Sequence, residues 1–176
     1  METVSVIAGT HKTMQHQVFT KLVEQHQGII FKVTRIYCWH TDDQADLAQE
    51  ILAQCWRAFP KYDEQRKFST WMYRIALNVA ISYVRHHHLM QRHHLPLDEC
   101  KHELAIDITD DQDDRDFMYH IIEQLDELNR ALLLLYLEEH SYQQISEILG
   151  ITITNVSSKI NRLKQRLRNV SQNQNI

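Results

Sequence analysis

Only three glycines and two prolines punctuate this chain of 176 residues. Tight β-turns need residues that accept a positive φ or a fixed one, so a chain this poor in both leaves little room for hairpins. The apolar positions recur mostly with helical period, and the two observations together predict an all-α protein. Long apolar runs are missing as well. No stretch reaches the length of a membrane-spanning helix, and the N-terminus lacks a basic region followed by an apolar core, which points to the cytoplasm. Three cysteines, Cys38, Cys55 and Cys100, form an odd set without CxxC spacing. That argues against a disulfide framework and reads as reduced thiols, the first two facing a core.

A formal net charge of −4 hides a strong asymmetry. From Asp98 to Asp116 nine acids oppose only Lys101 and Arg115. With Pro96 and no sustained periodicity, this segment reads as a flexible acidic linker between two small helical domains. The expected boundaries are an N-terminal tail over 1–15, a first domain over 16–88, the linker over 89–116 and a second domain over 117–170. The tail, without periodic signal, is expected to be frayed.

In the first domain, Phe19, Leu22, Val23, Ile29, Ile30, Val33, Ile36 and Tyr37 predict one or two helices, with Gly28 a candidate break. Thr41 with Gln44 three residues on reads as a capping box opening the next helix. That helix turns Leu47, Ala48, Ile51, Leu52, Cys55 and Phe59 inward, ends at Pro60, and leaves Asp46, Gln49, Glu50 and Gln54 outside. A polar connection, 61–67, leads to a third helix starting near Ser69 or Thr70, with Trp71, Met72, Ile75, Val79, Ala80 and Tyr83 as its buried side. Between Arg57 and Arg92 seven basic residues face only two acids, Asp63 and Glu64. Trp56, Phe59, Tyr62, Phe68, Trp71 and Tyr73 are interleaved with them. Cations mixed with open aromatic faces suit unpaired nucleic acid, because bases stack on rings while phosphates find the cations. Trp56, Phe59 and Trp71 are expected in the core and Tyr62 outside it. A histidine run follows, His86, His87, His88, His93, His94 and His102, with Cys100 among them. Neighbouring histidines on a helix point in different directions and no paired carboxylates flank them, so no metal is expected and a metal-dependent hydrolase is disfavoured.

Across the linker, Phe117, Ile121, Ile122 and Leu125 predict a helix, and Ala131 to Leu137, apolar nearly all round, a central one. Ser141 to Leu167 then carries Ile145, Ile148 and Leu149 on one short helix and Val156, Ile160, Leu163 and Leu167 on a second. Gly150 sits where a helix C-terminus takes a left-handed residue, and Thr152 can cap the next helix. Two short helices joined this way form a helix-turn-helix. Ser157, Ser158, Lys159, Asn161 and Arg162 fall on or near the open face of the second helix, residue types that reach base edges and phosphates in a major groove. Five basic residues and no acid lie between Lys159 and Arg168. A helical hairpin with a merely solvated basic face is the alternative.

The segment from Phe68 to Asn78, FSTWMYRIALN, preceded by Asp46-Leu-Ala-Gln-Glu50, resembles the second domain of bacterial RNA polymerase sigma factors. The segment Leu125 to Leu167, with Arg130, Tyr142, Ile145, Gly150, Val156 and Arg162 in place, is similar to their fourth domain. The resemblance covers about 16–88 and 117–168. It leaves no room for further domains, which points to the extracytoplasmic-function (ECF) subfamily.

The resemblance implies a dissociable initiation factor with no catalysis and no cofactor. Its partners would be core polymerase, through the clamp helices of the largest subunit and the flap of the second-largest, promoter DNA as duplex and as melted nontemplate strand, and an anti-sigma factor. Asp46, Gln49 and Glu50 would dock on the clamp helices. Tyr62, Lys67, Trp71, Arg74, Asn78 and Arg85 would serve the minus-ten element, with Tyr62 and Asn78 lining a pocket for a flipped base. Asn155, Ser157, Ser158, Lys159, Asn161 and Arg162 would serve the minus-thirty-five element, and the acidic linker would thread toward the RNA path. Asp126 stands where the family usually has proline, Ala45 where an acid often precedes Asp-Leu, and Ser157 and Asn161 are shorter or less basic than usual. An ordinary helix-turn-helix regulator would account for 141–168 but leaves the aromatic-basic segment without a role.

Overall fold

A computed structural model describes residues 2–93, 121–122 and 124–173, and all regular secondary structure among them is helical. The chain divides into two compact units. The first helix, α1 (Glu2–Tyr37), is continuous, so the expected frayed tail is helical backbone from its second residue. Once a nucleus exists downstream, each further residue adds one hydrogen bond, and helix can extend through a segment with no apolar period of its own. Gly28 does not break α1 either. A mid-helix glycine costs about 1 kcal/mol, and the buried stripe of Ile29, Ile30, Val33, Ile36 and Tyr37 beside it outweighs that cost.

Helix α2 (Thr41–Ala58) packs against α1 and buries Leu47, Ile51 and Cys55 at four-residue spacing. Its cap differs from the expected box. His40 is the N-cap with an extended backbone and no side-chain cap bond, while Gln44 Nε2 donates to the Cys38 carbonyl at 3.0 Å. The glutamine closes the preceding turn, so Thr41 is left as the first helical residue. Pro60 falls within a 3-10 turn, Phe59–Lys61, that ends the helix.

Helix α3 runs Phe68–His93, one residue earlier than expected and five beyond the expected domain end at 88. Its core stripe is also rotated. Met72, Tyr73, Ala76, Leu77, Ala80 and Val84 are buried, while Trp71, Ile75, Val79 and Tyr83 are half-buried. Apolar residues at almost every position from 71 to 81 allow several arcs, and packing selects the one that seats the small Ala76 and Ala80 inward. Tyr73 therefore belongs to the core and not to an open aromatic surface.

After the undescribed segment, α4 (Glu127–Leu137) buries Ala131 through Leu135. Asp126, in place of the proline noted above, is its N-cap: the carboxylate accepts the Asn129 N–H at 2.8 Å. An aspartate satisfies one of the orphan N–H groups that a proline could only avoid presenting. Helix α5 (Tyr142–Leu149) opens on a reciprocal box in which Ser141 Oγ accepts the Gln144 N–H and Gln144 Oε1 accepts the Ser141 N–H. Gly150 takes φ 67°, and Thr152 Oγ1 accepts the Asn155 N–H at 3.2 Å to start α6 (Ile153–Asn173). Both features follow the sequence expectation. Ser146 Oγ donates to the Ile151 carbonyl at 2.6 Å and ties α5 to the turn. Leu125, Leu133 and Leu163 form a core against which Ile122 and Leu167 pack, and this core seats α6.

Cys38 and Cys55 are buried free thiols, as expected. Cys100, His94, His102, the acidic segment to Asp116 and the expected helix start at Phe117 lie outside the described residues. No helix among the described residues is long and apolar enough to cross a membrane.

Candidate nucleic-acid interface

On α2, Asp46, Gln49 and Glu50 are exposed. They lie three and four residues apart, hence on one face opposite Leu47, Ile51 and Cys55. Gln54 Nε2 donates to Glu50 Oε1 at 2.9 Å, and Arg57 Nη1 lies 3.9 Å from the same oxygen. The face presents carboxylates and amides, groups that can meet basic or amide side chains.

The outer side of α3 is the second surface. Lys67, Trp71, Arg74, Asn78 and Arg85 follow at intervals of four, three, four and seven residues. That keeps them within one arc of the helix while spanning roughly 27 Å of its length. All are exposed except Trp71, which is half-buried. Tyr62 reaches this face from the connection. Its ring stacks on Phe59 with centroids 5.9 Å apart and planes 14° off parallel, and meets Trp71 at 5.1 Å and Phe68 edge-on at 5.5 Å. Phe59 and Phe68 are buried and form the floor, while Tyr62 keeps a half-open face. Tyr62 and Trp71 are thus brought into contact, and Asn78 stands two turns farther along, about 10 Å up the helix. Burial, with the nearby Glu64 and Asp63 carboxylates, raises the Tyr62 phenol above its ordinary value. The ring therefore stays neutral at physiological pH and does not repel phosphate. Trp56, expected in the core, is half-buried under His16 and Phe19.

The third surface is the outer side of α6. Asn155, Ser158, Asn161 and Arg162 are exposed, while Ser157 and Lys159 are half-buried on its two flanks. Opposite them Val156, Ile160 and Leu163 are buried. Because α6 is held by its buried stripe and by the Gly150 turn, its polar face projects as a rigid unit. Two of the basic residues farther along have partners within the protein: Lys164 Nζ sits 4.4 Å from the Tyr136 ring centre, and Arg166 Nη2 donates to the Gln124 carbonyl at 3.1 Å. The hydrogen bond that the Lys164 ammonium donates to the Tyr136 hydroxyl oxygen raises that group above the ordinary lysine range.

Sequence reasoning placed Phe59 in the core but missed Phe68 as the other half of the floor under Tyr62, and the bonding inside the loop that carries it. The signal available was the aromatic pair Phe59 and Phe68 bracketing that loop at either end. His86 is exposed on α3, and the remaining histidines of the run have no described side chains.

Comparison with known proteins identifies two family segments in the chain. A family model described as Sigma-70 region 2 matches residues 22–89, and one described as Sigma-70, region 4 matches 118–167. The ECF RNA polymerase sigma factor SigW of Bacillus subtilis (strain 168) is 25% identical over 177 residues, covering 89% of this chain and 90% of that protein. Among solved structures, CnrH in complex with the cytosolic domain of CnrY gives a TM-score of 0.65 at 18% identity, over 95% of this chain and 96% of the other. RpoE of Bartonella quintana in complex with the anti-sigma factor NepR gives 0.62 at 17%, over 89% and 96%. At these identities the two structures speak for the fold.

Proposed function

The chain belongs to the ECF subfamily of RNA polymerase sigma factors, and from that premise we propose how its three surfaces divide the work of promoter-specific initiation. Asp46, Gln49 and Glu50 on α2 dock on the clamp helices of the largest polymerase subunit, and the C-terminal helices meet the flap of the second-largest. The outer face of α6 enters the major groove of the minus-thirty-five element. Asn155, Ser158, Asn161 and Arg162 face the bases, and Ser157 and Lys159 face the flanking backbone. The outer face of α3 opens the minus-ten element, with Tyr62 as a stacking platform and Asn78 as the amide that reads a base edge of the nontemplate strand. Trp71 supports Tyr62, while Lys67, Arg74 and Arg85 follow the phosphates. The protein catalyses nothing itself and works in the cytoplasm beside the polymerase. Its acidic linker threads toward the RNA path.

The observation that carries this reading is the alignment of cations and one amide along α3 with a half-open aromatic cluster at its start. A duplex-binding regulator has no use for such a face, since paired bases hide their π-surfaces. Two relatives of the same fold were solved with CnrY and with an anti-sigma factor bound, which supports an anti-sigma partner here as well.

The test is run-off transcription with core polymerase and a library of randomised promoters. Selective transcription dependent on the purified chain is expected. No transcription above core alone, together with tight duplex binding in the absence of polymerase, would show an ordinary helix-turn-helix regulator instead.

A further inference from the structure

Two acids, Asp63 and Glu64, interrupt the otherwise basic segment that carries Tyr62. A carboxylate there repels the phosphates the surface is meant to hold. Asp63 nevertheless organises the loop around itself. Its Oδ1 accepts the Gln65 N–H at 3.0 Å, and its own carbonyl accepts the Arg66 N–H at 3.0 Å. The Tyr62 hydroxyl in turn donates to the Arg66 carbonyl. Arg66 Nε also lies 3.8 Å from Asp63 Oδ2, but both side chains are largely exposed, and such a pair contributes little. Glu64 holds no hydrogen bond among the described residues.

We propose that Asp63 is a positioning residue for base capture, acting through its side-chain acceptor and in spite of its charge. The bond to Gln65 folds Asp63–Arg66 into a turn. The turn presents the Arg66 carbonyl to the Tyr62 hydroxyl, and that bond holds the tyrosine ring against Trp71 and Phe68 with one face open. A short polar connection that stayed loose would have to be ordered when a base arrives, and that loss would come out of the affinity. With the turn already formed, the platform is in place beforehand. This inference rests on reading Tyr62 as the platform for an unstacked base.

Charge and turn formation are separable by substitution. Asp63→Asn keeps an oxygen at the right reach and removes the charge. Asp63→Glu keeps the charge and moves the oxygen away by one carbon. Asp63→Ala removes both, and Glu64→Gln removes the neighbouring charge with no bond lost. Each variant is assembled with core polymerase and titrated against a fluorescein-labelled single strand carrying the nontemplate minus-ten element of a promoter recovered from the run-off library. Asp63→Ala and Asp63→Glu are expected to bind about threefold to tenfold more weakly, while Asp63→Asn and Glu64→Gln match or exceed the wild type. Electrostatics alone predicts the opposite sign for alanine. Tighter or unchanged binding by Asp63→Ala, or an asparagine variant as weak as the alanine one, overturns the proposal. Core-polymerase affinity equal to wild type reports an intact fold, and if the alanine variant does not assemble, the Asn and Glu pair decides alone. A wild-type complex that fails to hold the strand overturns the platform reading and this inference with it. Strand binding by the wild-type complex that the Asp63→Ala complex matches overturns the inference only.

Discussion

Lys159 and Lys164 share a helix and a charge, yet the proposed function gives them different work, and replacing each by glutamine separates the two roles. Lys159 lies in the second turn of α6 on the flank of its exposed face. The first half of a recognition helix is the part that enters the groove. Lys164 is about 7.5 Å farther along, with its ammonium over the Tyr136 ring at 4.4 Å. Each phosphate contact on B-form DNA contributes about 0.9 to the slope of log affinity against log salt. Lys159→Gln should therefore lower that slope by about 0.9, so that its binding deficit shrinks by roughly 3.5-fold between about 50 and 200 mM salt. Lys164→Gln should leave the slope unchanged, because its charge serves the Tyr136 contact. The assay is fluorescence anisotropy of reconstituted holoenzyme on a duplex promoter fragment across a potassium chloride series. Taking the difference from wild type cancels the polymerase's own contribution. Equal slope changes in the two variants would refute the division, and a larger change for Lys164→Gln would reverse it.

Asn78→Ala should impair strand opening, read as permanganate reactivity of unpaired thymines, while core-polymerase affinity stays at the wild-type value; a matching loss of core affinity would contradict its role. Glu139 closes α4 with a left-handed backbone, φ 58°, and the His140 N–H bonded to the Leu135 carbonyl. Glu139→Gly should therefore stabilise the protein by about 0.5–1 kcal/mol, seen as a higher thermal midpoint. Burial pushes the Cys55 thiol from 9.0 to about 12, so the folded state keeps a proton that the unfolded state releases. The resulting stabilisation, about 4 kcal/mol at most, is complete below about pH 9 and lost as pH rises to about 12. Urea titrations should show a loss across that window in wild type and a smaller one in Cys55→Ala.

How far the fold could be read in advance depended on how narrow each apolar stripe is. In α2 the buried residues Leu47, Ile51 and Cys55 recur every four positions and each is preceded by a polar residue (Asp46, Glu50, Gln54), which bounds the arc on one side. In α3 nearly every position from Trp71 to Ile81 is apolar, and the stripe could not be placed to better than one residue, a rotation of about 100°. Periodicity alone gives Tyr73 no side, and packing buries it. The Gly150 turn was legible because a left-handed position has a strong residue preference and the threonine cap follows at fixed spacing. The cap of α2 was not, because Gln44 bonds to the Cys38 carbonyl six residues back, a choice set by the turn between α1 and α2 and not by local spacing.

For the candidate site the same contrast holds between periodic and aperiodic information. Polar residues on the outer faces of α2, α3 and α6 are recognisable from spacing alone, since a helix places them once its buried face is known. The hydrogen bonds within Tyr62–Arg66 have no period, and Asp63 and Glu64 carry the same charge, so only the shorter reach of the aspartate, suited to a turn through the Gln65 N–H, sets the two apart. Charge counting has a related weakness. Five cations between Lys159 and Arg168 suggest five phosphate contacts, yet Arg166 is bonded to a carbonyl 42 residues away and Lys164 to a ring on α4. Those two cations fasten the recognition helix to its support, which leaves Lys159, Arg162 and Arg168 as the cations of that stretch available to DNA. The salt dependence of promoter binding should accordingly be set by about three contacts from this stretch and not five.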